Sequence, residues 1–416
     1  MKRKLLKQIG NEWRSNLWLM AELLIISSVL WFIFDYAGTY MSVANQPVGL
    51  DTDHVYTLSI QHRSEDSPYY ETPPEGENEQ KQVRRVMRRL AERPEIEAVC
   101  TGSTAPYNYN FWGEGLTPAS QLPDSASLAD ATLYGRNNRI LASPEYAEVF
   151  RMRGIHGETP EQLRAILEEG KIIVTSNAAG RGMTPDDLMN MNVYMSDSTN
   201  LLTIGAVIGP LKRSVFEPVF HSSTITPIKG IRSIYFRVKA DADRDFKKKF
   251  LDEIAPGLNY GNAYVADISS LDEIREQLHR SDYADLRNMY ICMGFLLLTV
   301  FLGILGTFWF RTQQRTHELA IRLTVGASRT LIFKRLISEG LLLLVLVTPF
   351  AVGIDAVIEY NNLTASSQYF EESMWMRTFV EAAVVFVCMA VMIVAGIAFP
   401  AAKAMKVEPA AVLAGE

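Results

Sequence analysis

Apolar residues along this chain follow two different patterns. In four places they run almost without interruption for about the thickness of a bilayer, and between the first two runs they recur with the shorter periods of half-buried helices and strands. An α-helix needs roughly 20 apolar residues to cross hydrocarbon. Spans are therefore predicted over residues 17–34, 290–310, 336–358 (with Pro349 as an expected kink) and 379–400. The first run could also be the core of a cleaved signal peptide. Trp18, Trp31, Phe32 and Phe34 bulk it up and no Ala-x-Ala follows, so a retained span is expected. Glu22 is costly in lipid and is expected to face other helices or the headgroups. Ahead of this span, in residues 1–16, Leu5, Ile9, Trp13 and Leu17 recur every four residues among Lys2, Arg3, Lys4, Lys7 and Arg14. That pattern suits a helix lying on an anionic membrane surface, or a plain basic flank.

Residues 42–289 read as a large α+β region. HVYTLSI at 54–60 alternates like a strand, KQVRRVMRRLAER is a helix with Val83, Val86, Met87 and Leu90 on one face, and EIEAVC is a short strand. Further along come SPEYAEVF and GETPEQLRAILEEG as helices, the second with Thr159 as its cap. KIIVTS, NVYMS and LLTIGAVIG are strands, TPDDLMN is a short helix, and a last unit runs SIYFRVKA, DRDFKKKFLDEIA, NAYVADI. Repeated strand–helix–strand units predict two lobes over 42–267 with a core of their own. Residues 117–130 carry no period and are expected to be flexible. Ser270 and Glu273 open a helix, and no breaker follows before the second span. One continuous stalk helix is therefore predicted over 268–289, running on into the membrane.

Charge orients this arrangement. Residues 1–16 carry five Lys/Arg against Glu12, and residues 311–335 carry six against Glu318. Residues 42–289 carry 27 basic and 35 acidic side chains. Both cationic segments fall on the cytoplasmic side if the amino end is inside, and the acidic region falls on the other. That leaves residues 359–378 as an outer loop and 401–416 as a cytoplasmic tail. The asymmetry points to membrane sidedness and membrane lipid, not to nucleic acid.

Chemistry-bearing motifs are absent. There is no GxxxxGK[ST], no HExxH and no GxSxG. His54, His62, His156, His221, His279 and His317 show no ligand spacing, and Cys100, Cys292 and Cys388 form no CxxC, so no catalytic, cofactor or metal residue is assigned. Tyr107, Tyr109, Phe111 and Trp112 gather in a Gly/Pro context and are a candidate partner surface; such clusters also pack under their own loops.

The segment around which the chain is organised is the basic stretch at 311–335, between the second and third spans. Glu318 and Arg322 have helical ion-pair spacing, Gly326 can end that helix, and Ser328 can cap the next, which carries Arg329, Lys334 and Arg335. Here Arg315, Glu318, Leu319, Ala320, Ile321, Arg322, Gly326, Ala327 and Ser328, with Glu339 further on, resemble the hallmark of the MacB/FtsX-type (type VII) ABC transporter permeases. Pro400, Ala401, Ala404, Pro409 and Leu413 are similar to the same family's closing motif, and the opening WRSNLWLMAELL looks like a Bacteroidetes-type subgroup. The resemblance implies four transmembrane helices and a two-lobed, MacB periplasmic-core-like α+β domain inserted between the first and second, in a bacterial inner membrane. It further implies a separate ABC ATPase subunit that binds the ATP, a second permease copy (identical or not), and for efflux relatives a membrane-fusion protein and an outer-membrane channel. Lipoprotein release and cell-wall control occur in other relatives, so the cargo stays open. Arg315, Glu318, Leu319, Arg322, Leu323, Gly326, Ala327 and Ser328 would form the ATPase-coupling element. The function so implied is a non-catalytic permease subunit passing ATP-driven movement to the outer domain. The alternatives are a receptor or scaffold whose outer domain binds a partner without an ATPase, and a membrane-anchored enzyme.

Overall fold

The structure, a computed structural model, describes residues 13–103, 106–107, 113–119, 134–179, 182–195, 201–217, 219, 222–228, 230–314, 321, 324–325, 328–364, 366 and 374–404. It divides into two compact units, Met1–Ser42 with Tyr283–Glu416, and Val43–Asp282.

The first unit contains four helices long and apolar enough to cross a membrane: α1 (Trp13–Ala44), α8 (Arg280–Gln314), α9 (Arg329–Tyr360) and α10 (Met374–Ala404). Their shared core is built from Leu23, Leu30 and Trp31 of α1, Ile304 of α8, Leu343 and Val347 of α9, and Met389 and Ile393 of α10. Inside lipid every backbone group must be bonded within the element, which is why all four spans are helical. The first helix extends ten residues past the predicted limit at 34. Asp35 and Thr39 in that extension are buried, so neighbouring protein rather than lipid surrounds them. Pro349 lies inside α9, which continues unbroken on both sides of it.

The second unit is an α+β domain of two lobes on one ten-stranded sheet. The first lobe pairs β10 (Ala263–Ser270), β1 (Val55–His62), β9 (Ser233–Val238) and β2 (Ile96–Gly102) in that spatial order, each antiparallel to its neighbour. Helix α2 (Glu79–Ala91) joins β1 to β2. The run of α5 (Phe246–Lys249), a π turn (Phe250–Ile254) and α6 (Ala255–Leu258) joins β9 to β10. This is a split βαβ arrangement of the ferredoxin type. Val86 and Leu90 of α2 meet Phe236, Phe246 and Phe250 in its core. Asn78 caps α2 by accepting from Lys81 N at 2.9 Å.

The second lobe is inserted between β2 and β9. Its strands β3 (Gly113–Pro118), β4 (Tyr134–Ala142), β5 (Ile172–Thr175), β6 (Asn192–Met195), β7 (Leu201–Ile208) and β8 (Ser222–Pro227) run β4–β3–β6–β7–β5–β8. A parallel β8–β4 ladder then closes the ring. Leu116, Ile172, Val174, Val193, Met195 and Val207 fill it. One residue pair, Gly102 with Ala142, links β2 to β4. A third core, with Cys100, Ile140, Tyr146, Phe150, Leu163 and Tyr235, lies under α3 (Tyr146–Val149) and α4 (Pro160–Glu168). The expected Thr159 cap on α4 is a complete capping box with Gln162.

Arg237 of β9 is wholly buried in this region. Its guanidinium donates to the carbonyls of Val149, Asp53 and Asp51, each at 2.7 Å. One planar fork thus satisfies three carbonyls that no strand or helix bonds.

The predicted continuous stalk over 268–289 is corrected. Strand β10 extends through Ser270, α7 (Leu271–Leu278) starts from the Ser270–Glu273 capping box, and the chain leaves helical geometry at His279 before α8 begins. The sequence shows no breaker there; at the break the His279 side chain bonds Val215 N and Asp282. Strands β3, β4 and β8 were not expected; β4 and β8 are rich in Asn, Arg, Ser and Thr, which sit on a small ring's polar interior contacts rather than in an apolar period.

Replacing Arg237 by Met should lower the unfolding free energy of the full chain by about 3–5 kcal/mol, since three buried carbonyls lose their donor. Denaturant unfolding in detergent reads this directly, and a change under about 1 kcal/mol would contradict the role given to Arg237.

Candidate functional site

Three places in the molecule hold polar groups that packing alone does not require. The first is the segment between α8 and α9. Helix α8 extends to Gln314, beyond the predicted span, and α9 starts at Arg329. Ser328 caps it as expected, its hydroxyl accepting from Leu331 N at 3.3 Å. Val325 N donates to Ile321 O at 3.1 Å. Ile321 and Val325 are exposed, Val325 to 83%. Arg315, Glu318, Leu319, Arg322, Leu323, Gly326 and Ala327 lie outside the described residues, as do Tyr109, Phe111 and Trp112, residues 1–12, Pro409 and Leu413. Glu339 is buried in α9.

The second place is within the helix bundle. Glu22 faces α8: Thr307 Oγ1 donates to it at 3.4 Å, and Gly303 lies close enough that an added Cβ would stand 3.2 Å from its Oε1. Glu22 therefore packs against another helix, one of the two placements expected of it. Toward the other end of the same helices, Asp35 of α1, Asp355 and Glu359 of α9, and Arg377 and Glu381 of α10 gather with Ser366 and Thr378. Arg377 Nη2 donates to Glu359 Oε1 at 2.5 Å, Thr378 donates to the other oxygen, and Ser366 N reaches Asp35 at 3.5 Å. Sequence reasoning passed over these residues. The available signal was the four-residue spacing of 355 with 359 and of 377 with 381 at the ends of apolar runs.

The third place lies in the α+β unit, where the chain that follows α1 meets the loop after β7. Lys212 is buried, and its ammonium donates to Val43 O at 2.5 Å, Val215 O at 2.8 Å and Gln46 O at 3.4 Å. Its backbone N–H bonds Val48 O at 2.9 Å. Gly49 has φ +89°, and a Cβ there would run into the Pro210 carbonyl and the Leu211 side chain. Only glycine allows that approach. Val215, whose carbonyl Lys212 holds, gives its N–H to His279 Nε2 at 3.3 Å, and His279 Nδ1 meets Asp282 Oδ2 at 2.9 Å. Phe216 and Tyr107 stand edge-on to the imidazole at 5.3 and 6.1 Å. Burial pushes Lys212 down to about 8. This clasp was not foreseen, because Lys212 meets Val43 from 169 positions away and Val215 meets His279 from 64, with no shared motif.

Tyr107 belongs to this clasp. It is 4% exposed, beneath the Arg275 guanidinium and edge-on to His279, so its expected role in a partner surface is corrected: it packs inside the domain. Among the described residues no group of three or more His, Cys, Asp or Glu is placed to hold a metal ion.

Comparison with known proteins places these features. Residues 290–409 match the FtsX-like permease C-terminal family, covering the second, third and fourth spans and the segment between α8 and α9. The resemblance carried by the motif at 315–328 is thereby borne out: the chain carries an FtsX-like permease C-terminal domain over residues 290–409. No curated protein matches. Among solved structures, the periplasmic region of MacB from Actinobacillus actinomycetemcomitans is 10% identical, with TM-score 0.31 over 57% of this chain and 98% of that one. The extracellular domain of the noncanonic ABC-type transporter YknZ from Gram-positive bacteria is also 10% identical, with TM-score 0.30 over 51% and 100%. At that distance the fold is argued from this chain's own strand order.

Two outcomes follow for the clasp. Because burial lowers Lys212 to about 8 from an ordinary 10.5, the unfolded chain holds that proton to higher pH than the folded one. Stability should therefore rise with pH between those values in the wild type, and this slope should vanish in Lys212→Met, as read by thermal unfolding across the window. Gly49→Ala should destabilise the chain by about 1–3 kcal/mol through its left-handed backbone and the Pro210 contact; an unchanged melting temperature would remove the glycine from the argument.

Proposed function

We propose that this chain is a mechanotransmitting permease subunit. A separate ABC ATPase binds and hydrolyses ATP beneath the segment between α8 and α9, and the movement reaches the outer α+β domain. The observation that carries this reading is the FtsX-like permease match over residues 290–409, which takes in that segment. The exposed apolar side chains of Ile321 and Val325 support it, since apolar groups left in water suit a partner's cleft. Glu318 and Arg322 would brace the turn as an ion pair, Leu319 and Leu323 would pack into the ATPase or against the inner spans, and Arg315, Gly326, Ala327 and Ser328 would shape it.

In this reading the chain itself is not an enzyme and holds no cofactor. It resides in a bacterial inner membrane with residues 43–282 in the periplasm, and works as a pair of copies, identical or not. A membrane-fusion protein and an outer-membrane channel are further partners if the process is efflux; release of lipoproteins is the other export process that the same architecture suits.

Affinity purification of the full chain from its native membranes should bring down a P-loop ATPase. Glu318→Ala with Arg322→Ala should lower ATPase stimulation in the reconstituted complex about tenfold or more while leaving the chain's own melting temperature within a few degrees. Purification without any P-loop protein, or full stimulation by the double variant, would overturn the proposal.

A further inference from the structure

The clasp contains a group whose hydrogen bonding depends on a single proton. A backbone N–H can only donate, so the bond from Val215 N requires a lone pair on His279 Nε2. The one imidazole proton of the neutral ring then lies on Nδ1, where Asp282 Oδ2 accepts it at 2.9 Å. His279 is wholly buried, so no water can replace either partner. A second proton would have to go to Nε2, turning the acceptor of the Val215 N–H into a donor facing a donor.

The surroundings sharpen that conflict. On the helices bearing the ring, the charged groups are Asp282 in α8 and Arg275 in α7, the latter 5.9 Å from the Tyr107 ring that abuts the imidazole. On the loop packed against it they are Lys212, whose ammonium holds the carbonyl of Val215, and Arg213, which is paired with Glu217 at 2.8 Å. Tyr107, from the turn after β2, is a further titratable neighbour among the described residues. A charged imidazole would thus meet one carboxylate and a cation on the far side of the same Val215 residue. Losing the Val215 N–H bond also frees the residue through which Lys212 grips the loop, and Lys212 in turn holds Val43 and Gln46.

We propose that His279 is a proton-controlled latch: neutral, it fastens the loop 211–217 to the α7–α8 junction, and protonated, it releases that loop. Acidification of the compartment facing residues 43–282 would then loosen the tie between the chain leaving α1 and the chain approaching α8. Histidine is the side chain suited to such a change between about pH 5 and 8. The proposal rests on the reading of this domain as the outer one. Its test uses the chain without an ATPase, so its failure would leave the coupling proposal standing.

The test is hydrogen exchange of the full chain in lipid nanodiscs, followed by mass spectrometry in peptides covering 211–217 and corrected for intrinsic rates. In the wild type, protection around Val215 should fall about tenfold from about pH 7.5 to about pH 5.5. In His279→Gln, whose side-chain carbonyl still accepts from Val215 but takes up no proton, it should stay flat. Wild-type protection that ignores pH, or a Gln variant that opens equally, would overturn the latch. If the Gln variant does not fold, Asp282→Asn serves: removing the carboxylate that favours the imidazolium should move the opening midpoint to lower pH, and an unmoved midpoint would count against the proposal.

Discussion

The α+β unit depends on a buried ammonium. Lys212 takes three carbonyls, Val43 in the last turn of α1, Gln46 just after it, and Val215 in its own loop. An unpaired buried carbonyl costs about 1–3 kcal/mol, and a buried cation without partners costs more. Each satisfies the other only while the two stretches of chain remain side by side. Gly49 permits the approach, and Val215 passes the constraint on to His279. Arg237 does the same further along for the turn at Asp51–Asp53 and the end of α3. Cations, rather than additional apolar area, fix the irregular segments of this domain.

Within the bundle the equivalent constraint comes from the surrounding hydrocarbon. Carboxylates there survive only against protein, and they lie where helices meet: Glu22 against Gly303 and Thr307, and Glu359 between Arg377 and Thr378. These contacts bind α1 to α8 and α9 to α10 by geometry that apolar side chains could not specify, since lipid tails are as apolar as leucine. The glycines at 303 and 396 play the complementary part by letting backbones approach, Gly396 against Ile304.

Much of this was legible in the sequence. Four apolar runs gave four helices, because length and hydropathy decide that outcome almost alone. The caps at Thr159, Ser270 and Ser328 were visible, because a capping side chain bonds a backbone three residues away. The permease character was legible for a different reason, a motif compact enough to be read in one window. What escaped was whatever needed distant residues to meet. The ring of β3 to β8 has strands whose partners lie up to about 90 residues away, and polar β4 and β8 show no apolar alternation. The break at His279 falls in a helical sequence, at a residue whose ring bonds Val215, 64 residues earlier. Asp35 extended α1 past its apolar run because protein covers it, a fact no local window contains.

The closed ring of the inserted lobe has a further consequence. Its strands bond one another all the way round, and the ladder pair Gly102 with Ala142, flanked by Ser103 N on Leu141 O and Ser143 N on Thr101 O, ties it to the neighbouring sheet. A ring that pairs its own strands on both sides can change length at turns away from that junction without unpairing the strands of the ferredoxin-like lobe. Recognition can therefore diversify at those distant turns while the 211–217 loop of the same lobe, which carries Lys212 and Val215, stays constant, much as a tool head is changed on a fixed handle.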